Sequence, residues 1–214
     1  MLRALALTVV ALLVAAAPAA AAKPFRATIA ELSPSVRDAM TPSVWRSGCP
    51  AGLDDLRLVT LRHYGFSGKV GKGKLVVHRA AANDVVRAFR RMYAARFPIR
   101  KMRPIEHYGG SDSASIEDDN TSAFNCRKVT GGTGWSEHAY GRAIDINPIE
   151  NPYVSSGRTE HAKSEPYLDR SDRRPGMAVP GRALVRAFDL VGWGWGGRWK
   201  GSVKDYQHFS STGR

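Results

Sequence analysis

Trp135-Ser136-Glu137-His138-Ala139-Tyr140-Gly141-Arg142-Ala143-Ile144-Asp145 is the stretch on which the reading of this chain turns, taken together with Asp205-Tyr206-Gln207-His208-Phe209 further on. The two segments supply two imidazoles and several carboxylates. A catalytic zinc takes three protein ligands, usually histidine with a carboxylate, and keeps a fourth position open. His138, Asp145 and His208 satisfy that count. His138 and Asp145 are seven residues apart, which puts them on opposite faces of a straight strand, so a shared metal requires the backbone to bend at Gly141. Asp205, three residues before His208, is then close enough to act as a general base. Spacing alone also admits a loop-capping His138, an Asp145 paired with Arg142 and a half-buried strand histidine at His208.

The pattern S-x-H-x-x-G-x-A-x-D, filled by Ser136, His138, Gly141, Ala143 and Asp145, resembles the signature of the zinc D-alanyl-D-alanine carboxypeptidase family. Asp205 and His208 match its second signature, an acidic residue three before the last histidine. That family includes bacterial D,D-peptidases and phage L-alanyl-D-glutamate endolysins, and it shares its fold with the Hedgehog signalling domain. The likeness is strong from Asn120 to Phe209 and fainter back to Gly48. It implies Zn2+ held by His138, Asp145 and His208, a general base at Asp205, and hydrolysis of peptide bonds in peptidoglycan stem peptides. Carboxypeptidase members often carry Glu at the base position and endolysin members Asp, so Asp205 leans mildly toward the endolysin branch. The family also places an arginine to stabilise the oxyanion. Its nearest counterpart here, Ser122-Ala123-Phe124-Asn125-Cys126-Arg127, has two extra residues before the arginine and a shorter run to the first histidine. Arg127 is the candidate, with an ordinary surface charge as the alternative. Ser136 reads as a hydroxyl that either supports a ligand or caps the loop, and not as a nucleophile, because no G-x-S-x-G elbow surrounds it. A zinc-stabilised wall-binding module without catalysis is the rival reading, and the presence of Asp205 favours the enzyme.

Outward from the motifs, the chain reads as α+β, an antiparallel sheet with flanking helices. Ser33-Pro34 has the form of a helix start, N-cap followed by proline, leading through Met40. Leu56 to Leu61 and Leu75 to His78 read as strands around a glycine-rich turn, Gly65 to Gly73. From Asn83, expected as N-cap, Val85, Val86, Phe89, Met92 and Tyr93 recur at helical spacing up to Phe97-Pro98. Ile99 to Ile105 reads as a further strand, and Glu106 to Gly134 as a structured functional loop region. Ser155 to Gly176 reads as a surface insertion, followed by a helix from Pro180 to Leu190 that Gly192 ends. Gly192-Trp193-Gly194-Trp195-Gly196-Gly197-Arg198-Trp199 admits a groove wall or a core plug, and one or two tryptophans are expected beside the groove. His63, His78, His107 and His161 lie outside the motifs and are given no metal role.

Residues 1–22 have the pattern of a cleavable signal peptide: a basic head at Arg3, an apolar run from Ala4 to Ala17, then Ala19 to Ala22 as the cleavage region. The run is shorter than the ~20 residues a spanning helix needs, so no membrane span is expected after cleavage. The remainder divides into 23–119, the N-terminal part of one catalytic domain, and 120–214, the zinc-peptidase core carrying both motifs. Export to the cell wall, periplasm or medium makes a disulfide between the only two cysteines, Cys49 and Cys126, the expected pairing. A formal net charge of +13 suits an anionic partner. For an exported monomer that means peptidoglycan peptides and anionic wall polymers, whereas a nucleic-acid partner would rest on charge alone and is not expected.

Overall fold

A computed structural model describes residues 23–214; the signal segment read from the sequence, 1–22, lies outside the described residues. The first element is one the sequence reading did not anticipate. β1 (Ala27–Glu31) is mostly exposed and lacks an apolar face, and it forms by pairing antiparallel with β2. α1 (Pro34–Met40) starts as expected, with the Ser33 hydroxyl accepting from the Val36 N–H. β2 (Leu56–Tyr64) and β3 (Val70–His78) pair in register from Leu56 opposite His78 to Tyr64 opposite Val70. The expected turn of Gly65 to Gly73 is therefore too long, because polar residues such as Lys72 and Lys74 alternate with Gly73 and Leu75 on the strand itself.

α2 (Ala82–Ala94) buries Val85, Phe89, Met92 and Tyr93 and exposes Arg87, Arg90 and Arg91. Asn83 is not its N-cap: the helix begins two residues earlier than that cap would set, and the capping position, Ala81, makes no side-chain hydrogen bond. The strand expected at Ile99 to Ile105 shrinks to β4 (Lys101–Met102), since Pro104 and the 3-10 turn Ile105–Tyr108 interrupt it. The loop region that follows contains α3 (Asp112–Glu117) and β5 (Asn120–Thr121), which pairs parallel with β4. Then come β6 (Ala143–Asp145), β7 (Tyr153–Ser155), α4 (Ala183–Asp189), β8 (Gly194–Trp195), β9 (Val203–Asp205) and β10 (His208–Ser210).

The chain is α+β, with four small sheets among the described residues in place of the single antiparallel sheet expected. Two are three-stranded and antiparallel, β1-β2-β3 and β6-β10-β8. Between them lies one apolar core. It takes Val59, Leu61, Leu75 and Val77 from the first sheet, Ile144 and Phe209 from the second, and Val85, Phe89, Leu184 and Phe188 from α2 and α4. The Phe188 and Phe209 rings stack at 4.5 Å between centroids. Full burial of side chains this size contributes about 1.5–3 kcal/mol each, enough to hold the short motif strands in place. A second cluster, including Met40, Val44, Leu56, Val76, Ile105 and Phe124, fills the space behind β3. Cys49 and Cys126 are bonded to each other at its edge.

Candidate metal centre

β10 runs antiparallel to β6 with His208 directly opposite Asp145, Phe209 opposite Ile144 and Ser210 opposite Ala143. Opposed residues share a face, and successive residues alternate faces. Phe209 and Ile144 therefore enter the core while His208 and Asp145 stand together on the other side, where Nδ1 of His208 lies 3.2 Å from Oδ1 of Asp145. His138 reaches the same point from a 3-10 turn, Glu137–Tyr140. Ser136 caps that turn, its hydroxyl accepting from the His138 N–H at 3.3 Å, which is one of the two roles the sequence left open for it. Gly141 then turns the chain with φ of 66°, in the left-handed region, before β6 begins. The bend that the seven-residue interval required is thus present, and Nε2 of His138 lies 3.1 Å from Oδ2 of Asp145 and 3.2 Å from Nδ1 of His208.

What each imidazole does with its other nitrogen is decisive. Nδ1 of His138 lies 2.6 Å from the Ala123 carbonyl oxygen, and Nε2 of His208 lies 2.8 Å from the main-chain oxygen of Arg214. A carbonyl oxygen only accepts, so both outer nitrogens carry the hydrogen. In the neutral rings both inner nitrogens are then bare lone pairs, facing each other and a carboxylate at 3.1–3.2 Å. Such a set repels itself unless a cation sits among it. One ligand atom from each of His138, Asp145 and His208 lies within 4.8 Å of the others, so the donors fit a metal ion of the kind that two histidines and a carboxylate hold. Protons are the alternative cation, and the same crowding favours them. Burial opposes charge on His208, but the hydrogen bond to Asp145 and the charges of Asp145 and Asp205 outweigh it and push the imidazole up to about 9. Burial likewise opposes ionisation of Asp145, yet the two histidines hold its carboxyl well below the usual range.

Asp205 ends β9 and is buried. Its Oδ1 has no hydrogen-bond partner among the described residues. Burial first, and then the charge of Asp145, push its carboxyl up to about 7, against the pull of His208, His138 and Arg127. Gly196 lets a neighbouring segment lie against it, since a Cβ there would stand 2.4 Å from the Asp205 carbonyl oxygen. Arg127 is half-buried and ion-paired with Asp112 of α3. Asn125 donates to the same Asp112 carboxylate at 2.8 Å. Arg127 is thus near enough to act on Asp205 electrostatically, but through space and from an existing ion pair.

The tryptophans divide between core and site. Trp193 and Trp195 are buried in the core, whereas Trp199 is half-buried with its ring 5.6 Å from that of His208. His63, His78, His107 and His161 do not join the cluster. Three contributors escaped the sequence reading: the Ala123 carbonyl, the Arg214 main-chain oxygen and the Ser210 hydroxyl that bonds the latter at 2.7 Å. Main-chain oxygens carry no residue-type signal, and Ser210 lies outside both motifs.

Two imidazoles and a carboxylate converge here, with a further buried carboxyl close enough to feel their charge, in an arrangement competent to hold a metal ion. Residues 130–211 match the family model described as D-alanyl-D-alanine carboxypeptidase, a match that supports the zinc DD-peptidase family for this part of the chain. The match supports a peptidase, and the family is zinc-dependent in general. It spans His138, Asp145, Asp205 and His208, while Arg127 lies just before it. No curated protein and no solved structure matches the chain.

Proposed function

We propose that the chain is an exported zinc metallopeptidase that hydrolyses peptide bonds of peptidoglycan stem peptides, as a D-Ala-D-Ala carboxypeptidase or an L-Ala-D-Glu endopeptidase, on a Hedgehog/DD-peptidase-like fold. One observation carries it: both imidazoles direct the outer nitrogen to a main-chain oxygen and the inner nitrogen to Asp145. His138, Asp145 and His208 hold the zinc. When bound, the ion polarises the scissile carbonyl and brings the ionisation of water near neutrality.

The remaining steps belong to the chain. Asp205, buried and with Oδ1 free to accept, takes a proton from the attacking water as its oxygen bonds to the carbonyl carbon. It returns that proton to the leaving amine as the C–N bond breaks. Arg127 adds positive charge toward the oxyanion without leaving Asp112, and Trp199 forms one wall of the substrate cleft. Anionic wall polymers fit the basic surface: exposed Lys72, Lys74 and Arg103 line a cleft of about 480 Å3 with an apolar floor that includes Val36 and Leu58. No helix among the described residues is long and apolar enough to cross a membrane.

The test is Asp205→Asn in the full mature chain. Asparagine keeps the size but cannot take the proton, so zinc content by elemental analysis should hold while hydrolysis of purified wall fragments, followed by mass spectrometry, falls about 10²- to 10⁴-fold. Chelator should abolish wild-type cleavage. Cleavage that survives complete metal removal would overturn the proposal, and near wild-type turnover in the variant would remove Asp205 from it.

A further inference from the structure

His138 and His208 are oriented by different means. His138 is held by Ala123, whose neighbours are tied into the sheets: Phe124 N–H donates to Val76 at 3.0 Å and Ser122 exchanges both main-chain bonds with Asp145. The outer nitrogen of His208 is held by the turn that follows its own strand. There the Arg214 main-chain oxygen accepts from His208 Nε2 at 2.8 Å and from the Ser210 hydroxyl at 2.7 Å. The turn is itself anchored at Gly213, whose carbonyl accepts from Trp199 Nε1 at 2.9 Å and whose N–H donates to Ser210 at 3.3 Å.

Glycine is required twice for this arrangement. Gly213 has φ of 81°, and a Cβ on Gly194 would stand 2.4 Å from the Gly213 Cα. Ser210 is fully buried, so its hydroxyl has no water to turn to and is committed to Arg214. Three donors from β10 and from the tryptophan-glycine run thus converge on two adjacent main-chain oxygens, for no gain to the apolar core.

We infer that the turn Ser211 to Arg214, clamped by Trp199 and Ser210, fixes the tautomer and aim of His208 for the metal, which makes Trp199 and Ser210 positioning residues. A neutral imidazole has one N–H and one lone pair, so an acceptor fixed at Nε2 leaves the lone pair on Nδ1, the nitrogen that faces Asp145 and His138. With the acceptor gone, the ring is free to rotate or to place its hydrogen on Nδ1, and either change removes a ligand. The inference rests on the zinc reading above. It adds that a segment without a metal-binding side chain governs metal affinity.

The experiment compares the full chain with Ser210→Ala, Trp199→Phe and a deletion of Thr212–Arg214. Zinc affinity is measured by chelator competition, and the histidine ring nitrogens are followed by 15N NMR in the zinc-loaded state. Losing such an outer partner weakens metal binding about 10- to 100-fold, so the deletion should fall in that range, with smaller losses in the same direction for the two substitutions. The His208 Nε2 resonance should move in all three variants while His138 Nδ1 stays. Unfolding of the zinc-free proteins separates this from a merely structural role, which would lower the midpoint and leave zinc affinity alone. Wild-type zinc affinity in all three variants would overturn the clamp. Wild-type protein that takes up no zinc would instead overturn the zinc reading, and the clamp with it.

Discussion

Glu150 carries a conflict that pH can expose. Its side chain is almost fully buried, and it shares one guanidinium with a second carboxylate: Arg100 lies 2.7 Å from Glu150 and 3.2 Å from Asp119. One cation cannot compensate two desolvated carboxylates. Burial first, and then the hydrogen bond and charge of Asp119, push Glu150 from its ordinary 4.5 up to about 8, against the pull of Arg100. A carboxyl whose value is raised on folding binds its proton more tightly in the native state. Its contribution to stability is complete below about 4.5 and is lost as pH rises through about 8. Glu150→Gln keeps the shape and removes the titration. In denaturant melts across this window the wild type should lose stability toward alkaline pH relative to the variant, and superimposable profiles would mean that Glu150 is ionised throughout. Neither this cluster nor the carbonyls that orient the histidines was legible in the sequence. The convergence of His138, Asp145 and His208 was, because a fixed order of metal-ligating residue types survives in one dimension. Glu150, Asp119 and Arg100 sit at unremarkable intervals, and only packing brings them together.

At the scale of elements, Gly141 joins the 3-10 turn bearing His138 to the strand bearing Asp145, and it also docks both onto β3. Its carbonyl accepts from the His78 N–H at 2.8 Å, and a Cβ at Gly141 would lie 2.6 Å from that same nitrogen. Gly141→Ala therefore meets two penalties, the left-handed φ of 66° and a clash with main chain that has no rotamer to escape into. Urea unfolding should show a loss of about 2 kcal/mol or more. Zinc uptake should fall as well, since His138 and Asp145 no longer converge. Gly134→Ala is the matched control, having open space around its Cβ, and equal stability in the two variants would show that the bend is not constrained. The need for this bend followed from counting residues between His138 and Asp145. The strands around it did not follow, for identifiable reasons. β1 has no apolar alternation and exists through its pairing with β2, and β6, β9 and β10 are three residues each, too short to show any period. α2, with thirteen residues and a continuous apolar stripe, was readable, although its start was not, because the N-cap is Ala81 and offers no capping side chain.

For the molecule as a whole, the disulfide is a covalent cross-link between parts distant in sequence, joining Cys49 to Cys126 across 77 residues with their Cα atoms 5.9 Å apart. It borders the second apolar cluster and lies immediately before Arg127, outside the core on which the motif strands rest. That placement separates what reduction should change from what it should spare. Closing a loop of this length stabilises the folded chain by about 4 kcal/mol in the chain-entropy model, so replacing both cysteines by serine should lower unfolding stability by roughly that amount. The local backbone has other anchors: Cys126 N–H donates to Val44 at 3.0 Å, and Arg46 donates to the Cys126 carbonyl at 3.0 Å. His138, Asp145 and His208 are placed by β6, β10 and the Ala123 carbonyl, and the bridge supplies none of these contacts. The serine variant should therefore retain its zinc while melting at lower denaturant, and any loss of turnover should trace to Arg127. Thiol titration of unfolded, unreduced wild-type protein should find almost no free thiol. A serine variant as stable as wild type would show that the bridge adds nothing to the second cluster, and one that loses zinc in proportion to stability would show that the two halves fold and bind metal as a single unit.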